Sequence, residues 1–180
     1  MRRPLEEEPT LESRRIYSGK IIGVRVDTVR LPTNGVSQRE IVEHGDAVVV
    51  VPVDSTERVL LVRQYRKAAE KTLLEAPAGG LDKEESPEEG CLRELQEETG
   101  FIAGRLQHMG SFWMTPGFCT EYMHAYLATD LRPSSLAPDE DENIEVMPIP
   151  LAQVPDMIRS GEIEDAKSIA ALLMAIHIFI

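Results

Sequence analysis

The sequence predicts an α/β protein with a small antiparallel sheet at its N-terminal end. Three observations predict it. Short β-branched runs, Ala47 to Val53 the most apolar of them, recur on both sides of one well-marked helix in the middle of the chain. That helix has Ser86, Pro87 and Glu89 at its start and Gly100 at its end. Two more helical stretches close the chain, and 180 residues with 42% hydrophobic content suffice for one globular domain and an appended arm.

In order, residues 1 to 13 carry Glu6, Glu7 and Glu8 with few apolar positions, and are expected to be flexible. Ile22, Val24 and Val26 then alternate with Gly23, Arg25 and Asp27, the pattern of a strand with one buried face. Leu31 to Gly35 reads as a turn and Gln38 to Glu43 as the returning strand. A lone hairpin is marginal in water, so this one needs a partner surface. Residues 1–45 are accordingly read as a flexible terminus plus hairpin arm, and 46–180 as the main domain.

Ala47 to Val53 is apolar enough to be buried on both faces. Arg58 to Arg66 is a strand whose later half becomes polar, and Glu75, after Leu73 and Leu74, is placed to end another. After the central helix, Leu106 to Phe112 reads as a short strand, followed by a loop around Pro116, Gly117 and Phe118 and a strand from Glu121 to Thr129. Residues 132 to 143 form a loop with four consecutive acids, Asp139 to Glu142, and Ile144 to Ile149 returns as a strand. Leu151 to Ser160, ended by Gly161, and Ala166 to Ile180 read as helices. The apolar run that closes the chain is about a dozen residues, short of the roughly 20 that span a bilayer, so no membrane partner is expected.

Composition narrows the partners. A net charge of -12 argues against nucleic acid or an anionic membrane surface, both of which need a positive field. A polyanionic substrate would have to be met by local arginines and metal. Cys91 and Cys119 make no disulfide framework and suit small core positions. Residues 1 to 15 alternate basic and acidic clusters without an apolar stretch, so no signal peptide is expected and the cytoplasm is the expected location.

The central helix carries the chemistry. At about 100° per residue, Cys91, Leu92, Leu95 and Thr99 share the face expected to meet the core, with Glu94, Glu97 and Glu98 on the other side. Like charges three and four residues apart each cost a helix roughly 0.2 to 0.5 kcal/mol, and these sit where the macrodipole is already negative. A solvated face would gain from lysine there, so the cluster points to a cation. Every candidate ligand is oxygen, which selects a hard divalent ion, Mg²⁺ or Mn²⁺.

Gly79, Glu85 and the run Arg93-Glu94-Leu95-Gln96-Glu97-Glu98-Thr99-Gly100-Phe101 together resemble the complete Nudix box. The resemblance implies an α/β/α sandwich with a mixed sheet, and a magnesium-dependent hydrolase of nucleoside diphosphates linked to another moiety. Glu94 and Glu98 would ligate metal with Glu97 nearby, Arg93 would hold the glutamates, and the Ala78 carbonyl would add a ligand.

Further segments resemble the ADP-ribose pyrophosphatase branch of that family. Gln64-Tyr65-Arg66 is similar to its phosphate-binding segment, which makes Arg66 the phosphate donor, against the plain reading of a surface salt bridge, and puts Glu75 on the ribose or metal side. Pro116, sixteen residues beyond Gly100, resembles the mark of ADP-ribose hydrolases, and Trp113 and Phe118 are candidate walls for a base or ribose, or a loop packed on the core. Arg39 matches a place from which an arginine reaches adenine, against the plain reading of an exposed strand residue; the aromatic that stacks opposite in that branch has no clear match here, Ile21 or Ile22 standing nearby. Asp139 to Val146 is similar to the mobile loop of those enzymes, so Glu140 would be general base and Glu142 a metal ligand, or the reverse. The branch implies a homodimer through the N-terminal sheet, and hydrolysis of ADP-ribose to AMP and ribose 5-phosphate with two or three Mg²⁺. The alternatives are another nucleoside diphosphate sugar or a dinucleotide coenzyme as substrate, or a Nudix-fold sensor that binds ADP-ribose without cleaving it.

Overall fold

The structure is a computed structural model that describes residues 7–134 and 143–179. Its first three strands, β1 (Thr10–Ser18), β2 (Gly23–Arg30) and β3 (Val36–Glu43), form an antiparallel sheet in that order. β1 is a correction. Residues 10 to 13 were expected to be flexible, but they hydrogen-bond along β2, with register shifts between Thr10 and Glu12 and between Arg15 and Tyr17. Every residue of β1 is exposed; backbone pairing with β2 and an ion pair from Arg15 to Glu43 (2.7 Å) hold it, and no apolar alternation marks it in the sequence.

The chain then continues as β4 (Ala47–Pro52), β5 (Arg58–Arg66), β6 (Lys71–Glu75), β7 (Ala78–Gly80), α1 (Pro87–Thr99), β8 (Phe101–Trp113), β9 (Tyr122–Pro133), β10 (Glu145–Pro150), α2 (Val154–Ser160) and α3 (Ala166–Phe179). One sheet has the order β7-β4-β9-β8 and is mixed, since β4 runs antiparallel to β7 and parallel to β9. The other, β10-β5-β6, is antiparallel. The chain divides into two compact units, Met1–Gly45 with Trp113–Glu121, and Asp46–Phe112 with Tyr122–Ile180.

The core of the second unit is built on β4, whose six residues are all buried, as its unbroken apolar run predicts. Val48 and Val50 pack with Cys91 and Leu95 of α1 and with Tyr126 and Ala128 of β9. Successive strand residues point to opposite faces, so Val49 and Val51 face away from α1, and α3 packs on β4 and β9. The mixed sheet is thus layered between helices. Each fully buried valine contributes about 1.5 to 3 kcal/mol, which holds β4 in one register under the site.

Two boundaries differ from expectation. β8 starts at Phe101 rather than Leu106, because Gly100 (φ 73°) closes α1 in the left-handed conformation and the chain reverses at once. Gly104 and Gly110 interrupt the alternation by which a long strand is recognised. The segment expected as one helix from Leu151 opens with a 3-10 turn, Leu151–Gln153, before α2. Among the described residues, no helix is long and apolar enough to cross a membrane.

Candidate active site

α1 begins as its sequence dictates. The Ser86 hydroxyl accepts from the Glu89 N–H, and the Glu89 carboxylate accepts from the Ser86 N–H, a reciprocal cap worth about 1 kcal/mol. From this anchored helix Arg93 reaches three carboxylates. Its Nε and Nη2 donate to the two oxygens of Glu85, both at 2.9 Å, and its Nη1 donates to Glu94 at 2.7 Å and Glu97 at 2.9 Å. Nη2 also donates to the Gly80 carbonyl at 3.0 Å, so one guanidinium ties β7, the loop at Glu85 and the acidic turns of α1 together. The hydrogen bonds from Arg93 hold Glu85 below the usual carboxylate range.

Glu94 and Glu98 are not on the side where the sequence reading sets them. Glu94 and Glu98 are only 8% and 5% exposed, on the same arc as Cys91, Leu95 and Thr99, while Leu92 is 39% exposed. Leu92 lies a full 100° step past Cys91, whereas Glu98 falls within about 20° of it after seven residues. Glu98 accepts from the Ala78 N–H at 3.0 Å. A Cβ at Gly79 would meet the Glu94 carboxylate oxygen at 2.0 Å, so the missing side chain lets that carboxylate lie against β7. Two buried carboxylates against a side-chain-free stretch of β7 are a donor set that fits a hard divalent cation. In the described residues no three His, Cys, Asp or Glu side chains are gathered as a metal cluster, and Glu94 and Glu97 both lie on Arg93.

Arg66 and Glu75 meet each other. The guanidinium donates Nε to Oε1 at 2.8 Å and Nη2 to Oε2 at 2.9 Å, and Glu75 is 1% exposed. Lys167, at the start of α3, also donates to Glu75 and, at 2.9 Å, to Asp165. Sequence reading missed Lys167 and Asp165 because they lie some ninety residues from Glu75 and carry no motif. Burial pushes the Glu75 carboxyl up, but the Arg66 hydrogen bond and Lys167 outweigh it and hold it below the usual range. A depressed pKa means that this pair stabilises the fold above the ordinary carboxylate range, and that the contribution is lost as pH falls through the folded value. Glu75→Gln is therefore expected to destabilise the protein by about 2 kcal/mol near neutrality, the full cost of a broken buried pair being reduced by the exposure of Arg66. Thermal unfolding should show the gap to wild type narrowing in acid; an unchanged gap would contradict the assignment.

Three further predicted residues share one groove within the first unit. Arg39, Pro116 and Phe118 line a cavity of about 440 Å³ together with Arg25, Ile41 and Trp113. The cross-strand pairs Arg25–Ile41 and Asp27–Arg39 put both arginines on one sheet face. The loop is pinned to β3 by Val42 N–H to the Phe118 carbonyl (2.8 Å), Thr120 N–H to the Val42 carbonyl (3.0 Å), and the Thr120 hydroxyl to the His44 carbonyl (2.9 Å). Arg25 was not singled out from the sequence, although the register of the hairpin contains it. Arg39 is held by both oxygens of Glu8, at 2.9 and 2.7 Å, from the stretch expected to be flexible. Glu140 and Glu142 lie outside the described residues.

Comparison with known proteins agrees with this architecture. The NUDIX domain matches residues 43–172, and a nucleoside diphosphate sugar hydrolase N-terminal domain matches residues 8–42. The chain belongs to the Nudix family. It is 42% identical to an ADP-ribose pyrophosphatase of Bacillus subtilis, over 92% of this chain and 91% of that one. A methanol dehydrogenase activator of Bacillus methanolicus is 38% identical, over 93% and 92%. A solved structure described as an ADP compounds hydrolase superposes with a TM-score of 0.88 at 26% identity, covering 98% of this chain and 96% of that one.

Proposed function

We propose that this protein hydrolyses ADP-ribose to AMP and ribose 5-phosphate, with Mg²⁺, or Mn²⁺ in its place, as the cofactor. The observation that carries the reading is the Arg93 network beside the buried carboxylates of Glu94 and Glu98. Its agreement with the similarity to an ADP-ribose pyrophosphatase over nearly the whole chain selects the substrate.

In this reading Glu94, Glu97, Glu98, the Ala78 carbonyl and Glu142 would hold the metal. When bound, the ions neutralise the diphosphate and polarise its phosphorus–oxygen bonds. Arg93 keeps Glu94 and Glu97 in place, and Arg66 donates to a phosphate while Glu75 sets its orientation. The groove of Arg39, Pro116 and Phe118 would take the nucleoside end. Glu140 removes the proton of a water that attacks one phosphorus; the bridging P–O bond breaks, and the other half leaves as ribose 5-phosphate or AMP. A substrate panel with Mg²⁺, read as phosphate after phosphatase coupling, tests this. ADP-ribose should be cleaved well above GDP-mannose, UDP-glucose and NADH. A preference for any of the others would replace the substrate, and binding of ADP-ribose without cleavage at any Mg²⁺ concentration would make the protein a sensor.

The same reading makes residues 1–45 a dimerisation arm and 46–180 the hydrolase domain, in a cytoplasmic homodimer. Leu11, Ile16, Tyr17, Ile21, Ile22 and Val36 are all exposed on the N-terminal strands and their turns, an apolar surface suited to a second copy. Both cysteines are free, as suits a reducing compartment. Deleting residues 1–45 is expected to give monomer or aggregate by light scattering; a well-folded, fully active monomer would overturn the arm.

A further inference from the structure

We infer that Lys167 is a positioning residue for substrate binding, acting through Glu75 on Arg66. The inference rests on the hydrolase reading above and adds a residue that belongs to no box motif.

The geometry is a buried carboxylate shared by two cations. Glu75, at the end of β6, takes Arg66 across both its oxygens and Lys167 on Oε2. Lys167 is 13% exposed, and its ammonium is fixed a second time by Asp165. Asp165 in turn accepts from the Ser168 N–H at 3.0 Å and from its hydroxyl at 2.5 Å, and the buried Ser168 hydroxyl accepts from the Ala76 N–H at 2.7 Å. The first turn of α3 therefore grips two consecutive residues, Glu75 by charge and Ala76 by hydrogen bond. The next two residues are held as well: the Pro77 carbonyl accepts from Val50 at 2.9 Å, and the Ala78 N–H donates to Glu98.

Charge explains why a lysine stands there. A carboxylate forked onto one arginine makes a neutral pair, and such an arginine attracts little anion. A second cation on the same carboxylate takes part of its charge, so Arg66, whose side chain is 39% exposed, keeps a positive potential on its outer edge. Lys167 also fixes the plane of the carboxylate, and with it the plane of the guanidinium. Arg66 lies within electrostatic reach of Glu98 and Asp165 as well as Glu75. Three acids act on this arginine, Glu75 by direct hydrogen bonds and Glu98 and Asp165 by charge. Removing Lys167 leaves Glu75, and with it the charge of Asp165, to Arg66 alone.

The test is a double-mutant cycle on the full-length protein, with steady-state kinetics on ADP-ribose at saturating Mg²⁺. Lys167→Gln keeps a long polar side chain and removes the charge; it should raise KM about fivefold to tenfold while kcat changes by less than about threefold. In an Arg66→Ala background the same substitution should change KM by less than about twofold, because its route to the substrate has gone. Lys167→Arg should restore KM to near the wild-type value. A lysine that only braces α3 would lower the melting temperature and change KM by the same factor with or without Arg66, and that outcome overturns the inference. It is also overturned if Arg66→Ala raises KM and Lys167→Gln does not, a result that leaves the hydrolase reading intact. Loss of ADP-ribose cleavage from the wild-type panel would instead remove that reading.

Discussion

Glu98→Gln is expected to lower kcat at least about a hundredfold, equivalent to ~2.7 kcal/mol of transition-state stabilisation. The substitution is informative because of what it leaves alone. Glu98 accepts a hydrogen bond from the Ala78 N–H, and a glutamine carbonyl oxygen accepts the same bond, so β7 and α1 stay attached. Only the negative charge is lost, at a site 5% exposed where no water replaces it. An uncharged side chain is a poor ligand for a hard divalent ion, so the deficit should persist when Mg²⁺ is raised. The melting temperature of the variant should match wild type or exceed it, since a buried carboxylate has been neutralised. Near-normal turnover at saturating Mg²⁺ with an intact fold would sink the metal assignment.

How much of this was legible in the sequence depended on how local the signals were. α1 was readable to the residue because Ser86, Pro87, Glu89 and Gly100 act within a turn of the boundary they mark. β4 was readable because burial on both faces leaves nothing polar in it. β1 was not, because its residues are all exposed and it is held by backbone bonds to β2 and a distant ion pair, Arg15 to Glu43. The burial of Glu94 and Glu98 was also missed. Acids are assigned to the solvent side by default, although the 100° step itself sets Glu98 beside Cys91, and the contact with Gly79 and β7, which the topology brings about, shows that this arc of the helix faces inward. Long-range pairs were invisible for the same reason: nothing near Arg39 announces Glu8, and nothing near Glu75 announces Lys167. Arg66 and Arg39 were recognisable as candidates through the resemblance, Gln64-Tyr65-Arg66 to a phosphate-binding segment and Arg39 to a place from which an arginine reaches adenine. Which acid each one meets was decided by the topology.

Glu140→Gln is expected to lower kcat by about a hundred- to ten-thousandfold while ADP-ribose affinity, measured by calorimetry, changes less than about tenfold. The asymmetry follows from the role. A general base acts on the proton of the attacking water, which is lost only in the chemical step, so removing it leaves the ground-state contact proposed for Arg66 untouched. Glutamine has nearly the size of glutamate and is not a base at neutral pH. Glu142→Gln should behave differently: a missing ligand lowers the affinity for the ion, and more ion compensates in part, so the Mg²⁺ concentration for half-maximal rate should rise while the limiting rate falls less. The Mg²⁺ titration of the two variants side by side therefore separates the roles. If Glu142→Gln abolishes turnover at every Mg²⁺ concentration and Glu140→Gln leaves it intact, the two residues exchange roles. If neither substitution matters, the four acids from Asp139 to Glu142 are a solvated charge run and the base must come from the described part of the chain, where Glu97, part-exposed and held by Arg93 at 2.9 Å, is the first carboxylate to replace.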